Sequence, residues 1–327
     1  MPRILAAVAL LLFASMASAQ PYVKSNGVFR VQLAGYSSPI ITSLSLYGVQ
    51  VVPHDNIGAD MQMTARSPLG DAYNPTQGGD CRGIPSLLSG VIPNWTGAGL
   101  GTPSSYGILL GISPRNYNEP SYPGCLGPGA ILPYSFAFGL TLGDGVAMPR
   151  NLMVMDMSLR RLSGSQQIIK AASELPVAFV DNNNLRYAYI SNDASPLDGV
   201  TFVRMNVNTG SRITHDSKAW PLVTNYIATG HALMLCNRAD AIENPRMGTC
   251  MAFYVHEPTR IYASHRHGAI YDLTLMSALG DNPATPYVAD YNWHTARRVV
   301  VAGTPYLVSQ SIAWAERNLP AWSWARW

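Results

Sequence analysis

Apolar and polar side chains alternate along much of the chain, and that alternation predicts short strands. Phe29, Val31 and Leu33 alternate with Arg30 and Gln32, and Leu44 and Leu46 alternate with Ser43 and Ser45. Thr201, Val203, Met205 and Val207 alternate with Arg204, Asn206 and Asn208. A period of two with one apolar face marks a strand buried on one side. Val177–Val180, Arg186–Ile190, Met251–His256, Arg260–His265 and Arg298–Val301 add further strands. Strands in this number predict a mainly β protein, a large antiparallel sandwich of sheets packed face to face.

One helical pattern stands out near the C-terminus. Thr304 can cap it, Pro305 suits its first turn, and Leu307, Val308, Ser311, Ile312 and Ala315 fall on one stripe. The helix is expected to end near Asn318–Leu319, ahead of Pro320. The tail Ala321–Trp327 carries three Trp and is expected to dock on the body, because a free apolar tail promotes aggregation.

Two stretches lack periodicity. Ser67–Pro133 is crowded with Gly, Pro, Ser and Asn and reads as a long surface excursion, ordered by Tyr73, Trp95, Tyr106, Tyr117 and Tyr122. Ala239–Gly248 reads as a hairpin loop. At the other end, Met1–Ala19 has the form of a secretory signal. Arg3 gives the positive start, Ile4–Phe13 the apolar stretch, and Ala17-Ser18-Ala19 the small-residue cleavage site. The expected organisation is therefore a leader at 1–19 and a single β domain at 20–327, with its excursion at about 67–133, exported to the periplasm or beyond.

Export turns the four cysteines into candidates for two disulfides. Four cysteines allow three connectivities; the local pairs Cys81–Cys125 and Cys236–Cys250 are favoured, each within one Gly/Pro-rich segment. A zinc site lacks any CxxC or CxxH spacing.

Composition narrows the class further. Charged residues make up 13% of the chain, about half the usual share, while 17 Tyr and 7 Trp supply ample apolar area, which excludes disorder. No apolar run after the leader reaches the ~20 residues of a membrane-spanning helix. The net charge of +3 includes no basic block, which argues against a nucleic-acid partner. Nothing in the pattern sets the oligomeric state.

Several residues carry candidate chemistry. Asn74, Gln77 and Asp80 lie in Tyr73–Asp80, where Asn74-Pro75 and Gly78-Gly79 bend the chain sharply. Amides and a carboxylate held at a bend suit sugar hydroxyls, which donate and accept; the alternative is that they satisfy their own loop backbone. Glu174, one of only five Glu, is a candidate acid or base, or else an ordinary partner for an Arg. His265 and His267 flank Arg266 and would share one sheet face, with His256 beside them if the two predicted strands pair as a hairpin. Such a face suits acid/base catalysis with Arg266 clamping the substrate, or a metal, or simply solvent. No metal and no cofactor is assigned. The elbow, zincin, phosphate-loop and calcium-loop signatures are absent. Asn94-Trp95-Thr96 is a formal glycosylation sequon.

Three segments together carry a resemblance. They are Asn56–Gln62 followed by Tyr73–Asp80, then Glu174–Phe179 followed by Leu185–Ile190, and last Val299–Trp314. In this order they resemble secreted bacterial proteins of the galactose mutarotase-like β-supersandwich class, which includes sugar-binding and glycan-cleaving proteins. The resemblance implies a supersandwich fold and a polysaccharide or oligosaccharide as partner. Mutarotases use a His with a Glu on the sugar; that pair cannot be placed on this sequence residue by residue, so mutarotase activity is not carried over. The expected function is cleavage of a polysaccharide. Lyase-type proton abstraction is favoured over hydrolysis, because the chain is rich in Tyr, Asn and Arg and no motif marks the two carboxylates a hydrolase needs. The alternative is a non-catalytic, carbohydrate-binding or envelope-associated protein.

Overall fold

The computed structural model describes residues 22–33, 41–52, 65–67, 70–73, 87–95, 106–113, 134–162, 175–176, 180–181, 184–185, 187–191, 200–204, 226–266, 270–275 and 294–319. A four-stranded antiparallel sheet opens the fold, with β1 (Tyr22–Ser25), β2 (Phe29–Leu33), β3 (Ile41–Leu46) and β4 (Val49–Val52) in sequence order. The β3–β4 connection is a two-residue turn in which Tyr47 and Gly48 both have positive φ, 50° and 82°. That mirror-image turn matches the twist of the strands it joins. A separate ribbon pairs β5 (Ala65–Ser67) with β6 (Gly70–Tyr73).

The main sheet holds the remaining strands. Its first four are β7 (Leu87–Ile92), β8 (Gly107–Ser113), β9 (Tyr134–Leu142) and β10 (Leu152–Arg161). Next come β11 (Leu175–Pro176), β12 (Val180–Asp181), β13 (Tyr187–Ser191) and β14 (Val203–Arg204). The last four are β15 (Tyr226–Cys236), β16 (Cys250–Arg266), β17 (Ile270–Leu275) and β18 (His294–Gly303). Hydrogen-bonded neighbours run β14-β13-β15-β16-β18-β10-β9-β8-β7, with β17 on the far half of β16 and β11 and β12 on β17. Every pairing is antiparallel, as expected from the alternation.

Two cores lie on opposite faces of this sheet. Its inner face, with Phe136, Phe138, Met153, Leu233 and Phe253, packs on Phe29, Val31, Leu44 and Leu46 of the small sheet. That is the sandwich. Its outer face, with Leu152, Val154, Met234, Ala252, Tyr254 and Val299, is covered by α1 (Pro305–Asn318) through Val308, Ile312 and Ala315. The Thr304 side chain accepts a hydrogen bond from Leu307 N, and the helix ends before Leu319, as the caps predicted. Leu307 itself is exposed, and Ala313 takes its expected place among the buried residues.

Other expectations are corrected. The excursion is not strand-free: β7 and β8 fall inside it and extend the main sheet, with Ile108 and Leu110 in the sandwich core. Glycines spaced through these strands had masked their periodicity. Around Val203 the faces are reversed, since Phe202 is buried and Val203 is exposed. The Cys236–Cys250 disulfide is present and joins the end of β15 to the start of β16. The leader, Cys81, Cys125 and the Trp tail lie outside the described residues. Among those residues no helix is long and apolar enough to cross a membrane.

Candidate functional site

The site begins with a defect in the main sheet. β16 pairs with β18 as far as Tyr254↔Val299, and with β17 only from Ile261↔Leu275 onward. The sheet thus forks, and Val255–Arg260 lies between the two ladders. On its other edge, β15 steps from Gly230↔Thr259 to Ala232↔Tyr254, so His231 alone spans the gap facing Val255–Pro258. Pro258 is the local cause: it has no N–H to give a ladder, and strands tolerate proline at bulges. His231 Nδ1 lies 3.2 Å from Val255 O. A carbonyl only accepts, so Nδ1 carries the hydrogen and Nε2 is left as the basic nitrogen.

The outer face changes from apolar to polar at this same level. Along β10 the outward residues run Leu152, Val154, Asp156; along β18 they run Val301, Val299, Arg297; along β16 they run Ala252, Tyr254, His256. Asp156 and Arg297 are directly paired across β10 and β18. Arg297 Nε donates to Asp156 Oδ1 at 2.7 Å and Nη2 donates to Oδ2 at 2.9 Å. Both side chains are almost wholly buried, so each charge is held by the fork-to-fork geometry of the other. Continuing the β16–β18 register by two residues puts Arg297 level with His256.

His256 receives its second partner from the helix. Glu316 sits one turn beyond Ile312, at the edge of the buried stripe of α1, and its Oε2 lies 2.8 Å from His256 Nδ1. Tyr254 Oη is a more distant neighbour of the same nitrogen at 3.3 Å. Burial, then electrostatic interaction with Arg297 and His231, pushes His256 down to about 4. Burial pushes Glu316 up, with His231 opposing. Near neutral pH His256 is therefore uncharged, and the contact is a close approach in which Oε2 is buried without meeting hydrogen-bond geometry. His256 Nε2 is buried and has no hydrogen-bond partner. A carboxylate on one ring nitrogen and a bare second nitrogen is the arrangement of a general base.

The residues singled out in the sequence fare unequally. His256 is in the cluster. His265 and Arg266 are not beside it, because β16 runs straight through where a hairpin was expected, and their backbones pair with Tyr271 and Ile270. Nine residues of strand separate His256 from His265, roughly 25–30 Å. Asn74, Gln77, Asp80, Glu174 and His267 lie outside the described residues. Asp156, Arg297, Tyr254, His231 and Glu316 were not foreseen. A signal existed for two of them: Asp156 interrupts the apolar run Leu152–Met157, and Glu316 follows the helix stripe at i+4 from Ile312. Among the described residues no three His, Cys, Asp or Glu side chains form a metal site.

A forked antiparallel sheet backed by a second sheet and covered outside by a helix defines a β-sandwich. The chain is similar in fold to a solved variant of the GH36 α-galactosidase AgaA from Geobacillus stearothermophilus in complex with 1-deoxygalactonojirimycin. The TM-score is 0.50 at 10% identity, over 88% of this chain and 41% of that one. The GH36 α-galactosidase AgaB of the same organism is similar to the same degree, with a TM-score of 0.50, 10% identity, and 88% and 40% of the two chains covered. The chain thus spans about two fifths of the length of these enzymes. No protein-family model and no curated protein sequence matches it.

Proposed function

We propose that this is an exported glycan-processing protein that cleaves a polysaccharide by proton abstraction, with His256 as the base and Glu316 as the residue that orients it. The observation that carries the reading is the Glu316–His256 contact with a bare, buried Nε2. Hydrolysis calls for two carboxylates flanking a glycosidic bond; here Asp156 is committed to Arg297 and Glu316 to His256. Elimination needs a base and an offset for the charge of a uronate. His256 supplies the base; Arg297 is already neutralised by Asp156 and does not supply the offset. The bend Tyr73–Asp80 is proposed to add hydrogen bonds to sugar hydroxyls through Asn74, Gln77 and Asp80. Glu174, His265, Arg266 and His267 are proposed to contact more distant sugar units. The Cys236–Cys250 disulfide supports export, and cleavage of the leader is placed after Ala19.

The test is incubation of residues 20–327 with a panel of acidic and neutral polysaccharides, following ultraviolet absorbance of unsaturated uronate and new reducing ends. Both signals should rise on an acidic glycan, and His256→Gln should lower the rate by about 10²–10⁴-fold, the usual worth of a general base. New reducing ends without absorbance would replace elimination with hydrolysis. Binding without either signal would leave a carbohydrate-binding protein.

A further inference from the structure

The helix α1 is held to the body unevenly along its length. In its first half Tyr306 N donates to Pro245 O, and Ser309 Oγ donates to Val200 O at 3.1 Å while accepting from Val200 N at 2.9 Å. Ser311 Oγ accepts from Asn151 Nδ2 at 2.8 Å. Val308 and Ile312 fill the core beneath, and Trp314 packs against it. Beyond Trp314 the contact changes character. The last turn, Ala315–Asn318, offers the sheet the small side chain of Ala315 and the carboxylate of Glu316, while Arg317 and Asn318 are exposed. Leu319 behind it is buried but extended, φ −101° and ψ 127°, so the helix closes without a left-handed cap. The floor under this turn is the polar end of the outer face, where the sheet forks. Neither Glu316 Oε2 nor His256 Nε2 has a hydrogen-bond partner there, although both atoms are buried. Buried polar atoms left unpaired disfavour the closed arrangement, and water would satisfy both once the turn opened.

We propose that the last turn of α1, Ala315–Asn318, is a gate over His256, which unwinds to admit substrate to the imidazole while Pro305–Trp314 stays fixed. Its use as a gate rests on the reading of His256 as the base; the opening itself rests on α1 alone. The His256 side chain is only 10% exposed, too little for a polymer to reach while the turn is wound. Elements that move on binding come from the weakly held end of a fold, and this turn meets that description. Glu316 then has two parts: it orients His256 while the turn is closed, and it leaves with the turn when the turn opens.

The test uses diethyl pyrocarbonate, which acylates an uncharged imidazole that solvent reaches, with the rate at His256 read by peptide mass mapping at pH 7. Two glycine variants are compared with wild type. Ala315→Gly loosens the last turn, and Gln310→Gly places the same flaw on the exposed side of the first half. His256 should react about fivefold faster in Ala315→Gly, the worth of one Ala→Gly change in a helix, and at the wild-type rate in Gln310→Gly. Hydrogen exchange at the amides of residues 315–318 should quicken by the same factor, with residues 308–312 unchanged. Equal acceleration in both variants would mean that the whole helix or the whole protein opens, and would overturn the gate. So would a His256 rate that neither variant moves. Turnover of an acidic polysaccharide keeps the two ideas apart. Faster turnover in Ala315→Gly supports the turn as a gate to the base. Full turnover retained in His256→Gln would sink the base, while the reagent and exchange rates would still decide whether the turn opens.

Discussion

At His256, burial and the electrostatic influence of Arg297 and His231 act in the same direction, and the result is legible in stability. Its folded value is about 4 against 6.5 for the free side chain. Above pH 6.5 both states leave it neutral, and its contribution is fully present. Between 6.5 and 4 the unfolded chain takes up a proton that the folded one refuses, so stability falls as pH falls through that window and no further below it. The loss is on the order of 3 kcal/mol. Glu316 has the opposite sign: its folded value is raised, so its protonation favours the folded state and offsets part of the loss at the acid end. The melting temperature should therefore drop from pH 6.5 to 4, and His256→Gln should remove at least half of that slope. An unchanged slope in the variant would mean that His256 is not the group responsible.

At the scale of elements, the β15–β16 hairpin carries the site and is closed by the Cys236–Cys250 disulfide. The bond spans 14 residues of sequence. Loop-entropy reasoning assigns it about 3 kcal/mol, mostly by restricting the unfolded chain. Within the loop, Arg238 and Asn244 both bond Asp240, and Tyr189 Oη donates to the carbonyls of Arg238 or Ala239. Tyr306 N donates to Pro245 O, which ties the hairpin to the start of α1. Both sulfurs sit in the fully buried core under that helix, so replacing both cysteines with alanine keeps the apolar contact while opening the loop. The double variant should melt about 5 °C lower with its circular dichroism unchanged at 20 °C. Loss of native signal at 20 °C would instead make the bond a condition of folding.

At the scale of the molecule, the two sheets are joined by more than apolar packing. Asn26, in the turn between β1 and β2, donates to Gly143 O and Arg150 O at the β9–β10 end, while its Oδ1 accepts from Val28 N and Phe29 N. Lys24 Nζ adds a bond to Pro93 O beyond β7. With one sandwich core shared by both sheets, unfolding should be a single transition in which far-ultraviolet dichroism and tryptophan fluorescence coincide. Asn26→Ala should lower that transition by about 2 kcal/mol while keeping the probes together, since it removes bonds at the seam but not the core. Probes that separate in the wild type would show sheets that melt independently.

The sequence by itself determined what local periodicity and end signals can encode. Alternation along Phe29–Leu33 and Leu44–Leu46 specified strands and their buried face, Thr304-Pro305 and Leu319-Pro320 bracketed the helix, and two cysteines flanking a turn-rich loop specified a disulfide. These are relations among neighbours in the chain, so the side chains concerned announce themselves. The strands β7 and β8 escaped because glycine breaks the alternation while leaving the backbone free to pair. The site was decided by the tertiary structure alone. Asp156, His256, Arg297 and Glu316 lie on four elements, and no sequence spacing states that β10, β18 and β16 are neighbours or that α1 folds over them. Pro258 was visible in the sequence, but whether it turned the chain or forked the sheet depended on β15, β17 and β18 being there to pair on either side of it.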